Sequence, residues 1–194
     1  MRFRSVILFG ICLVLSLLIL SSQSLCSQPL GDGGELVLDD FQSGNGTSVF
    51  GTDWSGFSDQ VMGGLSELRL QYRQADNEQL TMRLSGRVRL ENNGGFIQAR
   101  LPLERARRRF DASEFSGVRV VARAEPGAYY VFLRTRNTWL PWQYYGGRIN
   151  IQQGHEWHTY DIPFEAFQAE STRSALDTAQ LKSIAIVAYG EAFS

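Results

Sequence analysis

From Trp54 to Ser66 the chain reads Trp-Ser-Gly-Phe-Ser-Asp-Gln-Val-Met-Gly-Gly-Leu-Ser, a mixture of aromatic, acidic, glycine and hydroxyl residues without a helical period. Ser58, Asp59 and Ser66 can hold neighbouring backbone amides. Gly63 and Gly64 can take positive φ or let another segment approach closely. The stretch therefore predicts an irregular loop, with Trp54, Asp59, Met62, Gly63, Gly64 and Ser66 as candidate binding residues. A second double glycine, Gly94-Gly95, stands before Phe96 between two runs of strand character. The pairing of the two glycine motifs predicts that their loops meet, and it adds Gly94, Gly95 and Phe96 to the candidates.

Catalytic and metal chemistry find less support. Ser66, His158 and Asp161 supply the residue types of a nucleophile, base and orienting acid, but no G-x-S-x-G elbow presents the serine. His155-Glu-Trp-His158 lacks the H-E-x-x-H spacing, and in a strand its two histidines would face opposite sides. Asp39, Asp40 and Asp59 offer oxygens to a hard cation, yet solvated loop acids look the same. Gly44 and Gly46 begin a phosphate-loop pattern whose third glycine falls on Val49. No catalytic residue, metal or cofactor is expected.

The aromatic run is more informative. Trp139, Trp142, Tyr144 and Tyr145 lie close together beside Arg134, Arg136 and Gln143, and flat rings with adjacent polar groups suit either a sugar or an apolar protein surface. Strand geometry puts Trp142 and Tyr144 on one face and Tyr145 on the other. Half of the cluster is expected in the core and half on a platform; open coplanar rings would favour sugar, and burial would favour a scaffold.

The elements that must position these residues are strands. Alternating runs are expected at 35–41, 65–72, 80–84, 86–90, 95–101, 115–123, 129–135, 148–152, 158–162 and 183–189, with a polar turn at Asp76-Asn-Glu78. Only Phe164–Phe167 and Ser174–Leu181 have helical flavour. Repeated strands in meander order with no helical crossover argue for an all-β antiparallel sandwich. Arg105–Arg109 is read as a solvated loop.

The 194 residues suffice for one domain. Arg2 and Arg4 precede an apolar run from Val6 to Leu20, followed by Ser21, Ser22, Gln23 and Ser24, the order of a secretory signal. Residues 1–27 are therefore assigned to a signal peptide or an amino-terminal membrane anchor, 28–34 to a spacer and 35–194 to the β-domain. Export to a periplasmic or extracellular space follows. Cys26 is a candidate lipid attachment point, although Leu25 stands where a small residue is favoured. With Cys12 in the apolar run, the exported domain has no internal disulfide. Removing Arg2 and Arg4 from 19 basic residues against 20 acidic leaves 17 against 20, about −3. That charge makes no electrostatic case for nucleic acid.

Taken together, the segments resemble the CIA30 family, the domain of complex I intermediate-associated protein 30. The resemblance rests on Trp54 with Ser58-Asp-Gln-Val-Met-Gly-Gly-Leu-Ser66, Gly86, Glu91-Asn-Asn-Gly-Gly-Phe96, and Asp111 through Phe115-Ser-Gly-Val118. It continues through Tyr130 to Arg134, Trp142-Gln-Tyr-Tyr145, Trp157 and Ile162-Pro-Phe164, so it covers nearly everything after residue 36. It implies a galactose-binding-like jelly-roll β-sandwich with few short helices and no enzymatic activity of its own. In mitochondrial relatives it implies a chaperone-like role in assembling respiratory complex I. The amino terminus differs from a mitochondrial transit peptide. The family pattern also runs one strand beyond Gly190–Ser194, which leaves either a truncated sequence or an open sheet edge. The expected partner is a protein, within a membrane-associated complex; the alternative is a carbohydrate held on the aromatic platform.

Overall fold

Alternation of apolar and polar residues at period two builds nearly every element of the chain. The computed structural model describes residues 30–31, 34–75, 79–106, 108–152 and 156–191. The apolar amino-terminal segment with Cys12 and Cys26, the turn at Asp76–Glu78, His155 and the last three residues lie outside the described residues. Among those described, no helix is long and apolar enough to cross a membrane. The strands are β1 (Leu30–Gly31), β2 (Glu35–Leu36), β3 (Ser55–Ser58), β4 (Glu67–Gln74), β5 (Leu80–Arg87) and β6 (Phe96–Pro102). They continue as β7 (Gly117–Ala122), β8 (Tyr129–Thr135), β9 (Tyr144–Ile149), β10 (His158–Pro163), β11 (Gln168–Glu170) and β12 (Leu181–Tyr189). The described helical pieces are single 3-10 turns, including those at Phe164–Ala166 and Thr178–Gln180 where helical flavour was expected.

Six strands form the main antiparallel sheet, in the order β11-β9-β8-β12-β6-β3. Its inner face is apolar along every central strand. On β12, Ile184 opposes Leu101 and Leu133, Ile186 opposes Ala99 and Val131, and Ala188 opposes Ile97 and Tyr129; all nine are buried. The ladders β4–β5 and β7–β10 form the second layer over this face. Leu68 and Leu70 of β4 close on Gly56 of β3, and Ile162 of β10 reaches Gly147 of β9. The result is an antiparallel β-sandwich.

Several boundaries depart from expectation for identifiable reasons. The strand expected at 35–41 stops at Leu36, because the Asp39 carboxylate accepts the Phe41 amide at 2.7 Å and Phe41 takes φ 60°. β5 runs unbroken to Arg87, since Gly86 lets the β4 backbone at Glu67 come too close for any Cβ. β9 starts at Tyr144 and ends at Ile149, earlier than 148–152. β3 and β11 were not expected. The meander holds for β4–β5 and β8–β9, but β12 inserts between β6 and β8, so the last described strand is central and the sheet's edges are β3 and β11.

Candidate functional site

The first candidate loop is organised by one carboxylate. Ser58 leads into a 3-10 turn at Asp59–Met62 that ends on Gly63 with φ 89°, a left-handed conformation glycine adopts without Cβ strain. The turn sinks Asp59 completely (0% exposed). Its Oδ1 accepts the Ser66 amide at 2.9 Å, and its Oδ2 accepts the Ser66 hydroxyl and the amides of Gly95 and Phe96 at 2.6 and 3.3 Å. The two glycine loops thus meet, joined further by the Asn92 amide donating to the Gly63 carbonyl at 3.3 Å. Burial alone would push the Asp59 carboxyl up, but the Ser66 hydroxyl and the amides of Gly95, Ser66 and Phe96 together hold it below the usual range. Gly64 needs no positive φ; a Cβ there would overlap Asp59, and one on Gly94 would lie 2.6 Å from Asp59 Oδ2.

The outer face of this joint is one wall of a groove. The groove runs over the outer face of the main sheet and encloses about 380 Å³. Its floor follows from β12, two of whose outward residues are small: Ser183 lies between Pro102 and Arg134, and Ala185 between Arg100 and Phe132. Val61 and Met62 of the joint rise on one side, both more than half exposed. Pro141 and Trp142 rise on the other, with Trp142 52% exposed. The second wall is braced from below: Arg134 Nη2 donates to the Leu140 carbonyl at 2.6 Å, and Gln143 Oε1 accepts the amides of Trp139 and Leu140.

Between the walls the chemistry is aromatic and cationic. Tyr144 stacks on Phe132 with ring centroids 3.7 Å apart and planes 15° apart. Burial, and then the neighbouring Tyr189 hydroxyl, push the Tyr144 phenol up. The Arg100 guanidinium lies 4.4 Å over the Phe57 ring. Arg134 keeps a buried Nε that donates to no partner. Burial and the adjacent Arg100 push its pKa down, a sign of two cations sharing poorly solvated space. Glu170, exposed at the β11 rim, accepts the Ser171 hydroxyl at 3.1 Å.

The groove gathers Met62, Gly94, Phe96, Arg134, Trp142 and Tyr144 of the candidates. Asp59, Gly63, Gly64, Ser66 and Gly95 lie in the joint behind its wall. Trp54 is placed elsewhere: it is buried, and its indole donates to Asp39 Oδ2 at 2.8 Å. Tyr145 points into the core, its hydroxyl donating to the Ser174 and Ala175 carbonyls. Trp139 stands 80% exposed outside the groove, under the Lys182 ammonium at 5.2 Å. Ser66 and Asp161, drawn together on paper with His158, are engaged separately, Asp161 with Arg119 at 2.6 Å. Sequence reasoning missed Phe57, Val61, Arg100, Phe132, Glu170 and Tyr189. The i, i+2 spacing of Tyr130, Phe132 and Arg134 carried part of that signal. The neighbouring strand that completes it is adjacent only through β12, which no local pattern reveals.

With this geometry in view, a family model described as Complex I intermediate-associated protein 30 (CIA30) matches residues 40–192. No curated protein matches the chain. Among solved structures, the chain is similar to the family 11 carbohydrate-binding module of cellulosomal cellulase Lic26A-Cel5E of Clostridium thermocellum. That similarity has a TM-score of 0.54 and 14% identity, over 70% of this chain and 77% of that one. At that identity the likeness concerns the fold.

Proposed function

The chain belongs to the CIA30 family, and from that premise we propose that it is a non-catalytic binding domain that holds a protein partner in the groove during assembly of a membrane-associated complex. The family takes its description from association with a complex I intermediate, which supports an assembly role of that kind for this chain. Residues 1–27 export the chain or anchor it beside the membrane. The observation that carries the reading is the groove between Val61 and Met62 on one wall and Pro141 and Trp142 on the other. Half-exposed apolar side chains flanking an aromatic floor offer a protein partner apolar contact, and exposed aromatic residues act as anchors in such sites.

The test is affinity capture of the exported protein from its native membrane fraction after mild cross-linking, with Trp142→Ala as matched control. Recovery of subunits of a membrane complex, reduced by the substitution, is the expected result. A second reading is a carbohydrate-binding module, favoured by the half-exposed indole of Trp142 at the groove wall. Recovery of no protein, with Trp142-dependent retention on a polysaccharide matrix, would replace the first reading with this one.

A further inference from the structure

Some described arginines elsewhere on the molecule hold carboxylates. Arg119 holds Asp161 and Glu35 at 2.6 and 2.8 Å, Arg89 holds Glu91 at 2.6 Å, and Arg109 holds Glu104. Arg100 and Arg134 differ. Across β12 they stand diagonally, opposite Ala185 and Ser183, and neither meets a carboxylate among the described residues. Arg100 meets the Phe57 ring, and Arg134 meets the Thr138 and Leu140 carbonyls while its Nε donates to nothing. Glu170, the acidic residue of the groove lining, sits at the rim and accepts a hydrogen bond from Ser171. Two guanidiniums therefore line the groove with no carboxylate from the described residues paired to either.

Resting on the reading of the groove as a protein-binding site, we propose that its occupant is an acidic, apolar polypeptide segment. Its carboxylate seats over the floor between Arg100 and Arg134, and its flanking apolar side chains rest against Met62 and Trp142. Guanidinium groups present planar, forked donors that match a carboxylate. A neutral occupant would strip water from both cations without supplying countercharge. The walls explain why the anion belongs to a polypeptide rather than an acidic polysaccharide. Val61, Met62, Pro141 and Trp142 offer aliphatic and aromatic contact on both sides. Meanwhile Phe132 covers one face of Tyr144 and Arg100 covers Phe57, which takes up faces on which sugar rings would stack.

The experiment is fluorescence anisotropy on the full chain in mild non-ionic detergent, with a labelled extended peptide alternating Glu with Leu and Phe and its isostere carrying Gln in place of Glu. The Glu peptide is expected to bind about tenfold more tightly or better, with an advantage that shrinks as salt rises. In Arg100→Gln that advantage falls to nearly nothing while affinity for the Gln peptide is kept, as a coupled pair requires. The acid-against-amide comparison uses the unaltered protein, so it stands even if the variant folds poorly. Equal affinity for the two peptides would overturn the acidic preference and leave the protein-binding reading in place. Binding of neither peptide would overturn the proposal, and binding of an oligogalacturonate or a neutral glucan in their place would remove the protein-binding reading as well.

Discussion

The glycine joint and the groove share a wall, yet they treat charge in opposite ways. At the joint a fully buried carboxylate receives four hydrogen bonds, from two amides and a hydroxyl on one loop–loop contact and one further amide at longer range. In the groove two guanidiniums feel each other's charge with no carboxylate paired to either, and the buried Nε of one bonds to nothing. A buried charge whose hydrogen bonds are all made contributes to the fold and has nothing left for a ligand. A half-covered cation with no carboxylate paired to it keeps a charge that a ligand can answer. Asp59 and Arg134 are therefore both site candidates by residue type, and their partners separate them.

The largest way to break the contrast is at Asp59. Asp59→Ala leaves the Ser66, Gly95 and Phe96 donors buried and unanswered, and should cost on the order of 4 kcal/mol in chemical unfolding. Acid should show the same dependence. Because the folded Asp59 carboxyl sits below its unfolded value, its stabilisation is complete above about pH 4 and is lost as pH falls through the folded value. Asp59→Asn should flatten that acid limb; an unchanged acid profile would mean the carboxylate is not the centre of the joint. Asp39 carries the opposite sign, since burial raises its carboxyl against the bonds from Phe41 and Trp54.

Smaller substitutions sharpen the contrast. Gly64→Val drives a side chain into Asp59 and should cost about 2–3 kcal/mol. Gly63→Ala meets open space and only the strain of φ 89°, so about 1 kcal/mol is expected. Thermal melts that ranked Gly63 above Gly64 would reverse the assignment of space to one and conformation to the other. Trp142→Ala should move stability by no more than about 0.5 kcal/mol, as exposed positions do, while it weakens partner capture. A large loss of stability would place Trp142 with the joint rather than the groove.

How much of this was legible in the sequence depended on range. The Asp-Gln-Val-Met-Gly-Gly string and the later Asn-Gly-Gly announced two built loops that meet, because glycine and short polar side chains advertise turns locally. Tyr144 and Tyr145 fell on opposite faces as period two requires. Arg100 and Phe57 were invisible as groove residues, since their place depends on β12 inserting between β6 and β8, an event of long sequence separation. Trp54 reads as a ring for binding until Asp39, 15 residues upstream, is seen to accept its indole hydrogen bond.

The central claim, that the partner enters the groove, is tested most directly by photo-cross-linking in the native membrane. Benzoylphenylalanine would replace Trp142 at the groove wall in one version of the full chain, and Val49, exposed and not part of the groove lining, in another. The account predicts a discrete polypeptide adduct from position 142 and none from position 49. Adducts from position 49 alone, or equally from both, would contradict it.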